Sequence, residues 1–349
     1  MAENSAQNNI PSISAVVATV IGSIEREREQ EIISRRFGLY DRKETLEQIG
    51  ELLGITRERV RQLEKVVITK LRQSADKGDF AELLKLQEAY VQNLHEMGML
   101  ARVSDLSARL TKDNTKIDQA QVSFLAMLSP KLIVLDENDF YFHAVAIKSE
   151  HKDATDIKKQ VDEVVKVIKN IGEPIGIDKI AEQLKQTSVA HTRALASVSK
   201  KVATLNGRWG LVKWPMVNPK NIRDKIYVIL FENGKPLHFN DISEAIKASS
   251  FKRRDVTTQA IHNELIKDDR FILIGRGIYA LKEWGYNKGT VADIIADILA
   301  KANEPLHRDE IVKRVLKKRQ VKETTILLNL QGKAQFKRVA KATYQLVTT

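Results

Sequence analysis

The sequence predicts a mainly α fold with small β-hairpin wings: a helix-turn-helix domain followed by tandem winged-helix domains. Three observations predict it. Residues 45–72, TLEQIGELLGITRERVRQLEKVVITKLR, hold two helical patterns joined at a glycine. The segments NIGEPIGIDKIAEQL (170–184), ENGKPLHFNDISEAI (232–246) and KANEPLHRDEIVKRV (301–315) align at Pro174, Pro236 and Pro305 as a loose repeat. Each repeat closes on a hairpin pattern with an aromatic on the returning strand: GRWGLVKW (207–214), FILIGRGIYAL (271–281) and FKRVAKATYQL (336–346). Helix, extended turn, helix, helix, hairpin is the order of a winged helix.

Residues 1–14, MAENSAQNNIPSIS, are small and polar and are predicted to be a disordered tail. The helix-turn-helix domain is assigned to 15–76. A helix is expected from Ser23 through EREREQEIISRR, its alternating charges facing solvent as support for the helix-turn-helix. Thr45 caps the next helix, with Gln48 where a capping-box partner belongs. Leu46, Ile49, Leu52 and Leu53 form its apolar stripe, and Gly54 supplies the left-handed residue of a tight turn. Thr56 caps the following helix. Spacing of about 100° per residue there gathers Val60, Leu63, Val67 and Leu71 on one side. Arg57, Glu58, Arg61, Gln62 and Lys65 fall on the other. Arg suits guanine, Glu accepts from the cytosine amino group and Gln suits adenine, and the first turns of a second helix are where base edges are met. The competing reading of RERVRQLE is a solvated helix face.

From about Ser23 to Gln73 the chain resembles region 4 of primary bacterial sigma factors, through EREREQEIISRRFGL and then TLEQIGELLGITRERVRQLEKVVITKLR. The resemblance implies that Arg57, Glu58, Arg61 and Gln62 contact bases of a −35 promoter element. It also implies that Thr45, Arg59 and Lys65 serve phosphates. Val66, Val67 and Ile68 make the end of the reading helix more apolar than the family pattern. The family's region for core-polymerase binding and strand melting has no expected counterpart here, so the chain is not expected to act as a sigma factor by itself.

Residues 79–148 read as a diverged winged helix: helices at AELLKLQEAYVQNLHEM, VSDLSARL and DQAQVSFLAML, then a hairpin in KLIVLDENDFYFHAVAI. Its tip, Asp136, Glu137, Asn138 and Asp139, would repel phosphate and points to a spacer or protein contact. It lacks the spaced ligands of a calcium loop. Further winged helices are assigned to 157–215, 220–284 and 289–348. The segments KPLHFNDISEAI and DRFILIGRGIYAL give the 220–284 unit a resemblance to the HARE-type winged helix, and the 289–348 unit is similar. That module occurs in the delta subunit of bacterial RNA polymerase, in chromatin-associated proteins and beside some restriction enzymes. Lys252, Arg253 and Arg254 precede the third helix of the 220–284 unit, a helix start that suits phosphate. Arg276 marks its wing tip, where it either enters a minor groove or stands solvated in a tight turn. Lys317, Lys318, Arg319 and Lys322 occupy the equivalent lead-in of the last unit. Lys333, Lys337, Arg338 and Lys341 lie on its wing, and Arg208 on the wing at 207–214. Phe271, Tyr279, Phe336, Tyr344 and Trp209 suit hairpin cores better than base stacking.

Of the net charge of +12, residues 200–349 carry +14, with 29 Lys and Arg against 15 Asp and Glu, which leaves −2 for the rest. A basic half points to a polyanion, most simply nucleic acid. The chain has no cysteine, which excludes disulfides and thiolate metal sites and fits a cytoplasmic location. No run approaches the roughly 18 apolar residues of a membrane span, and AVVATVIG (15–22) lacks the flanks of a signal peptide. The seven histidines, 95, 143, 151, 191, 238, 262 and 307, show no metal spacing. His238 and His307, each after Pro-Leu, suit capping or packing better than metal ligation. No phosphate loop, nucleophile elbow or dinucleotide fingerprint is found. No enzyme, metal, cofactor or small-molecule substrate is therefore expected. The expected partner is promoter-like double-stranded DNA, with RNA polymerase core as a second. The alternatives are a delta-like polymerase accessory subunit and a targeting component of a DNA restriction system.

Overall fold

The computed structural model describes residues 11–253, 255–286, 289–319 and 321–347. It forms two compact units, Met1–Lys213 and Trp214–Thr349. Among the described residues it is mainly helical, with sixteen α-helices and four three-stranded antiparallel sheets.

The first unit opens with α1 (Ile13–Gly22) and α2 (Glu27–Phe37). Part of the segment expected to be a disordered tail is thus helical, because Ile13 has an apolar core to enter and is buried there. Residues 1–10 of that expected tail lie outside the described residues. The helix expected from Ser23 begins later, at Glu27. Ser23 instead closes α1, its backbone N–H donating to the carbonyls of Thr19 and Val20. α2 carries Glu27 and Glu29 in its first turn and Arg35 and Arg36 in its last, matching the helix dipole at both ends. The helix-turn-helix follows as α3 (Leu46–Leu53) and α4 (Arg57–Lys77).

The first winged helix comprises α5 (Ala81–Met97), β1 (Leu100–Arg102), α6 (Val103–Leu110), α7 (Lys116–Leu128), β2 (Leu132–Leu135) and β3 (Ala144–Ile147), with β3 between β1 and β2. Its core is shared with the preceding segments. Val16, Val17 and Val20 of α1 and Val67, Ile68 and Leu71 of α4 join Leu86, Tyr90, Phe124 and Leu125 in one buried cluster. The Phe37 and Phe124 rings lie 5.2 Å apart, and the buried Gln121 amide donates to the Leu39 carbonyl at 2.7 Å. The apolar run Val66, Val67 and Ile68 of α4 is therefore an internal docking surface, with Val66 alone of the three turned outward.

The second winged helix, α8 (Ala154–Ile171), β4 (Ile175–Gly176), α9 (Ile177–Gln183), α10 (Val189–Val198), β5 (Val202–Leu205) and β6 (Arg208–Leu211), docks on the first. Strand-like hydrogen bonds join Phe142 to Val198 and Lys200 to Phe140, both at 2.8 Å. Lys200 pairs with Glu137 at 2.7 Å, and the Tyr141 hydroxyl donates to Asp162 at 2.6 Å. The Arg102 guanidinium lies 4.0 Å from the Phe142 ring centroid and also donates to the Ser197 carbonyl. The acidic wing tip thus meets a neighbouring basic side chain of the same chain.

In the second unit, the third winged helix is α11 (Ile222–Asn233), β7 (Leu237–His238), α12 (Phe239–Ala248), α13 (Thr258–Lys267), β8 (Phe271–Gly275) and β9 (Ile278–Leu281). The fourth is α14 (Val291–Ala302), β10 (Leu306–His307), α15 (Arg308–Leu316), α16 (Glu323–Gly332), β11 (Phe336–Ala340) and β12 (Thr343–Leu346). The repeat in sequence is a repeat in register. After each proline a two-residue strand pairs with the returning strand of the wing, placing Ile175 opposite Trp209, Leu237 opposite Tyr279 and Leu306 opposite Tyr344. All three aromatics are buried, as are Phe271 and Phe336. His238 and His307 cap α12 and α15, their Nδ1 atoms accepting from the backbone of Asn240 and Asp309.

Candidate nucleic-acid interface

The helix-turn-helix is set by local chemistry. The Thr45 hydroxyl accepts from the Gln48 backbone at 3.3 Å while the Gln48 amide oxygen accepts from the Thr45 backbone at 2.9 Å, a closed capping box. That hydroxyl also donates to Gln48, so the group the sequence assigns to phosphate already serves the cap. Gly54 takes φ of 64°, and the Ile55 backbone donates to the Gly50 carbonyl at 2.9 Å. Thr56 caps α4 by accepting from the Arg59 backbone at 3.2 Å.

Between these caps the helices cross closely. A Cβ on Gly50 would lie 2.6 Å from the Ile55 carbonyl oxygen, a constraint the sequence reading missed because it depends on the crossing itself. Ile49 and Val60 are fully buried beside Ile32, with Leu46, Leu53, Ile55 and Leu63 around them. Leu52, placed in the apolar stripe by its spacing, is 55% exposed instead, because this helix is covered along one narrow seam. Further bracing comes from α2. Arg28 donates to the Leu53 carbonyl, Arg36 pairs with Glu64 at 3.3 Å, and Arg35 pairs with Glu31 and Glu44 at 2.9 Å each. This is the support expected of α2, with the difference that Arg35 and Arg36 are half-buried against their partners rather than facing solvent.

The structure brings Arg57, Glu58, Arg61 and Gln62 together on the outward side of α4, all exposed, with Arg59 and Lys65 exposed beside them. Arg61 grips Glu58 with two hydrogen bonds, of 2.8 and 2.6 Å, and this contact holds the Glu58 carboxyl below its ordinary pKa. Gln62 donates to Glu58 and Arg59 to Gln62, both at 3.4 Å, and Arg57 lies 3.8 Å from Glu47. Such exposed pairs are weak, so base edges can replace them at small cost.

The basic residues of the second unit are dispersed. Lys252 and Arg253 are exposed on a turn upstream of α13 rather than in its first turn, because Thr257 caps that helix through the Ala260 backbone at 3.2 Å. Arg253 has φ of 54°, and its carbonyl accepts from the buried Lys225 ammonium at 2.6 Å. Arg254, assigned with them, lies outside the described residues. Arg276 is exposed at the tip between β8 and β9, followed by Gly277, where a Cβ would meet His238 Nε2 at 2.5 Å. Lys341 is exposed at the tip of the fourth wing, with Lys337 and Arg338 on β11. Arg208 opens β6 just after the Asn206–Gly207 turn and is exposed. Arg319 turns inward, donating to the Gly289 carbonyl, so it does not join the phosphate-facing lead-in where the sequence places it.

The third helix, which in a winged helix can enter a groove, differs among the four. α7 buries Gln121 through Ala126, and α10 buries Thr192, Ala194, Leu195, Ala196 and Val198. Gly98 packs against the Ala190 carbonyl, leaving no room for a side chain. α13 and α16 each bury two residues and leave their outer faces open. Among the described residues, no His, Cys, Asp or Glu cluster could hold a metal ion and no helix is long and apolar enough to cross a membrane.

Comparison with known proteins bears on the helix-turn-helix. Residues 26–73, from the start of α2 into α4, match the model of sigma-70, region 4. A 47-residue stretch is 51% identical to the RNA polymerase sigma factor SigA of a Bacillus species, covering 13% of this chain and 12% of that protein. Residues 26–73 are thus a sigma-70 region 4 domain, a DNA-binding domain of transcription and not a catalytic one.

Proposed function

We propose that this chain is a sequence-specific DNA-binding protein of transcription initiation or its regulation, in which α4 reads a −35-like promoter element. The observation that carries the reading is the exposed row Arg57, Glu58, Arg61 and Gln62, on a capped second helix inside the segment that matches sigma-70 region 4. These groups offer the donor and acceptor sets that distinguish base pairs in a major groove. Arg59 and Lys65 flank them for phosphate. The wings at Arg276, Arg208 and Lys341, with Lys252, Arg253 and Arg254, add sequence-independent grip, and the linked modules gain avidity from one another.

Selection of random duplexes by the full chain tests this directly. A TTGACA-like motif is the expected product. Glu58→Ala and Arg61→Ala are each expected to lose about 1–3 kcal/mol of discrimination and to relax the motif. Absence of any preferred sequence overturns the proposal. A second reading, an accessory subunit docked on RNA polymerase core, draws on the exposed Leu52 and Val66 flanking the reading face. Co-purification with core polymerase after nuclease treatment, with negligible affinity for free DNA, would select it.

A further inference from the structure

We infer that α13 of the third winged helix is a second base-reading element, selecting adenine through Gln259 and Asn263. The inference rests on the DNA-binding reading above and adds a site to it. α13 buries Ile261 and Leu265 and turns Gln259, Asn263, Ile266 and Lys267 outward. Its outer face holds two amides and one apolar residue, with Lys267 as its one fully exposed charge, in the last turn. Gln259 Nε2 donates to Asn263 Oδ1 at 3.1 Å. That bond leaves the Gln259 carbonyl as an acceptor and the Asn263 amide as a donor for a ligand. Adenine presents the complementary pair in the major groove, an N6 donor and an N7 acceptor.

The surroundings agree with this use. The first turn of α13 holds no acidic residue, so the positive end of the helix faces phosphate unopposed from within that turn. Glu264 is directed to Arg223, 3.9 Å away. Exposed Lys252 and Arg253 lie upstream, with the exposed carboxylate Asp255 beside them, and Arg276 stands at the wing tip. Ile266, 65% exposed, can lie against a thymine methyl. The other third helices differ: α7 and α10 each bury about half of their residues, and α16 carries exposed Thr324, Thr325 and Leu328 in place of the amide pair.

The test is selection from random duplexes by the full chain, its Glu58→Ala variant, the Gln259→Ala/Asn263→Ala double variant and Gln259→Arg. The wild type is expected to enrich two motifs, one of them centred on adenine. The double variant should weaken enrichment of the adenine motif about tenfold and keep the other. Glu58→Ala should do the reverse. Gln259→Arg should move the preferred base from adenine to guanine, a gain that misfolding cannot imitate. Absence of the adenine motif in the wild type, or its retention in both Gln259 variants, overturns the inference. So does loss of RNA polymerase binding in the double variant with DNA selection unchanged, which would make α13 a protein-docking face. Recovery of the adenine motif alone would reject α4 as a reader and leave α13 standing.

Discussion

His151 is buried with no hydrogen-bond partner for either ring nitrogen among the described residues, and its ring stacks on His191 at a centroid distance of 5.4 Å. Burial, and then the nearby His191, hold its pKa below the ordinary imidazole value against the opposing carboxylates of Asp156 and Glu150. His143 is shifted the same way, burial outweighing Asp136. A histidine whose folded pKa is depressed binds its proton more readily in the unfolded chain. Its stabilising effect is complete above the ordinary histidine range and falls as the pH drops through that range. The thermal midpoint of the first unit should therefore fall between about pH 7 and about pH 5, and His151→Phe should flatten the fall. An unchanged profile in that variant would remove His151 from the account. Sequence could not show this, since His151 and His191 lie forty residues apart and meet only when α10 docks. The capping by His238 and His307 was legible as one of two uses, capping or packing, that suit a position after Pro-Leu.

At the scale of elements, the helix-turn-helix divides into what neighbours in sequence decide and what the crossing of helices decides. Thr45 with Gln48, Gly54 and Thr56 act within a turn of themselves, and their roles can be read directly. Gly50, the exposure of Leu52 and the start of α2 at Glu27 depend on partners elsewhere. Gly50→Ala is expected to cost about 1–3 kcal/mol in denaturant unfolding, because the added methyl presses on backbone that cannot rotate away. It should also weaken selection of the α4 motif by tilting α4, even though Gly50 has no side chain to offer DNA. A neutral result would mean the crossing is looser than 2.6 Å implies. The prolines show the converse, since each marks a two-residue strand whose pairing repeats three times, and the pattern is visible in sequence before any contact is known.

For the whole molecule, the charge count located the basic half, but not which groove-competent helices are open. That outcome depends on how successive winged helices meet, as where Arg102 reaches Ser197 and Gly98 abuts Ala190, which no local pattern encodes. Neutralising Lys252, Arg253 and Arg254 is expected to lower affinity on every duplex and to reduce the salt slope by about 0.9 for each phosphate left without its cation, while Glu58→Ala leaves that slope unchanged. Titrations at several salt concentrations check this, and equal behaviour of the two sets would dissolve the division of labour. The core shared by α1, α4 and the first winged helix has a further consequence. A fragment cut at the end of α4 would bare Val67, Ile68, Leu71 and Ala75 to water along a continuous greasy strip. The helix-turn-helix is consequently not portable: transplanted alone it would clump or demand a substitute cover, and grafts of this motif should carry the chain through Ile147.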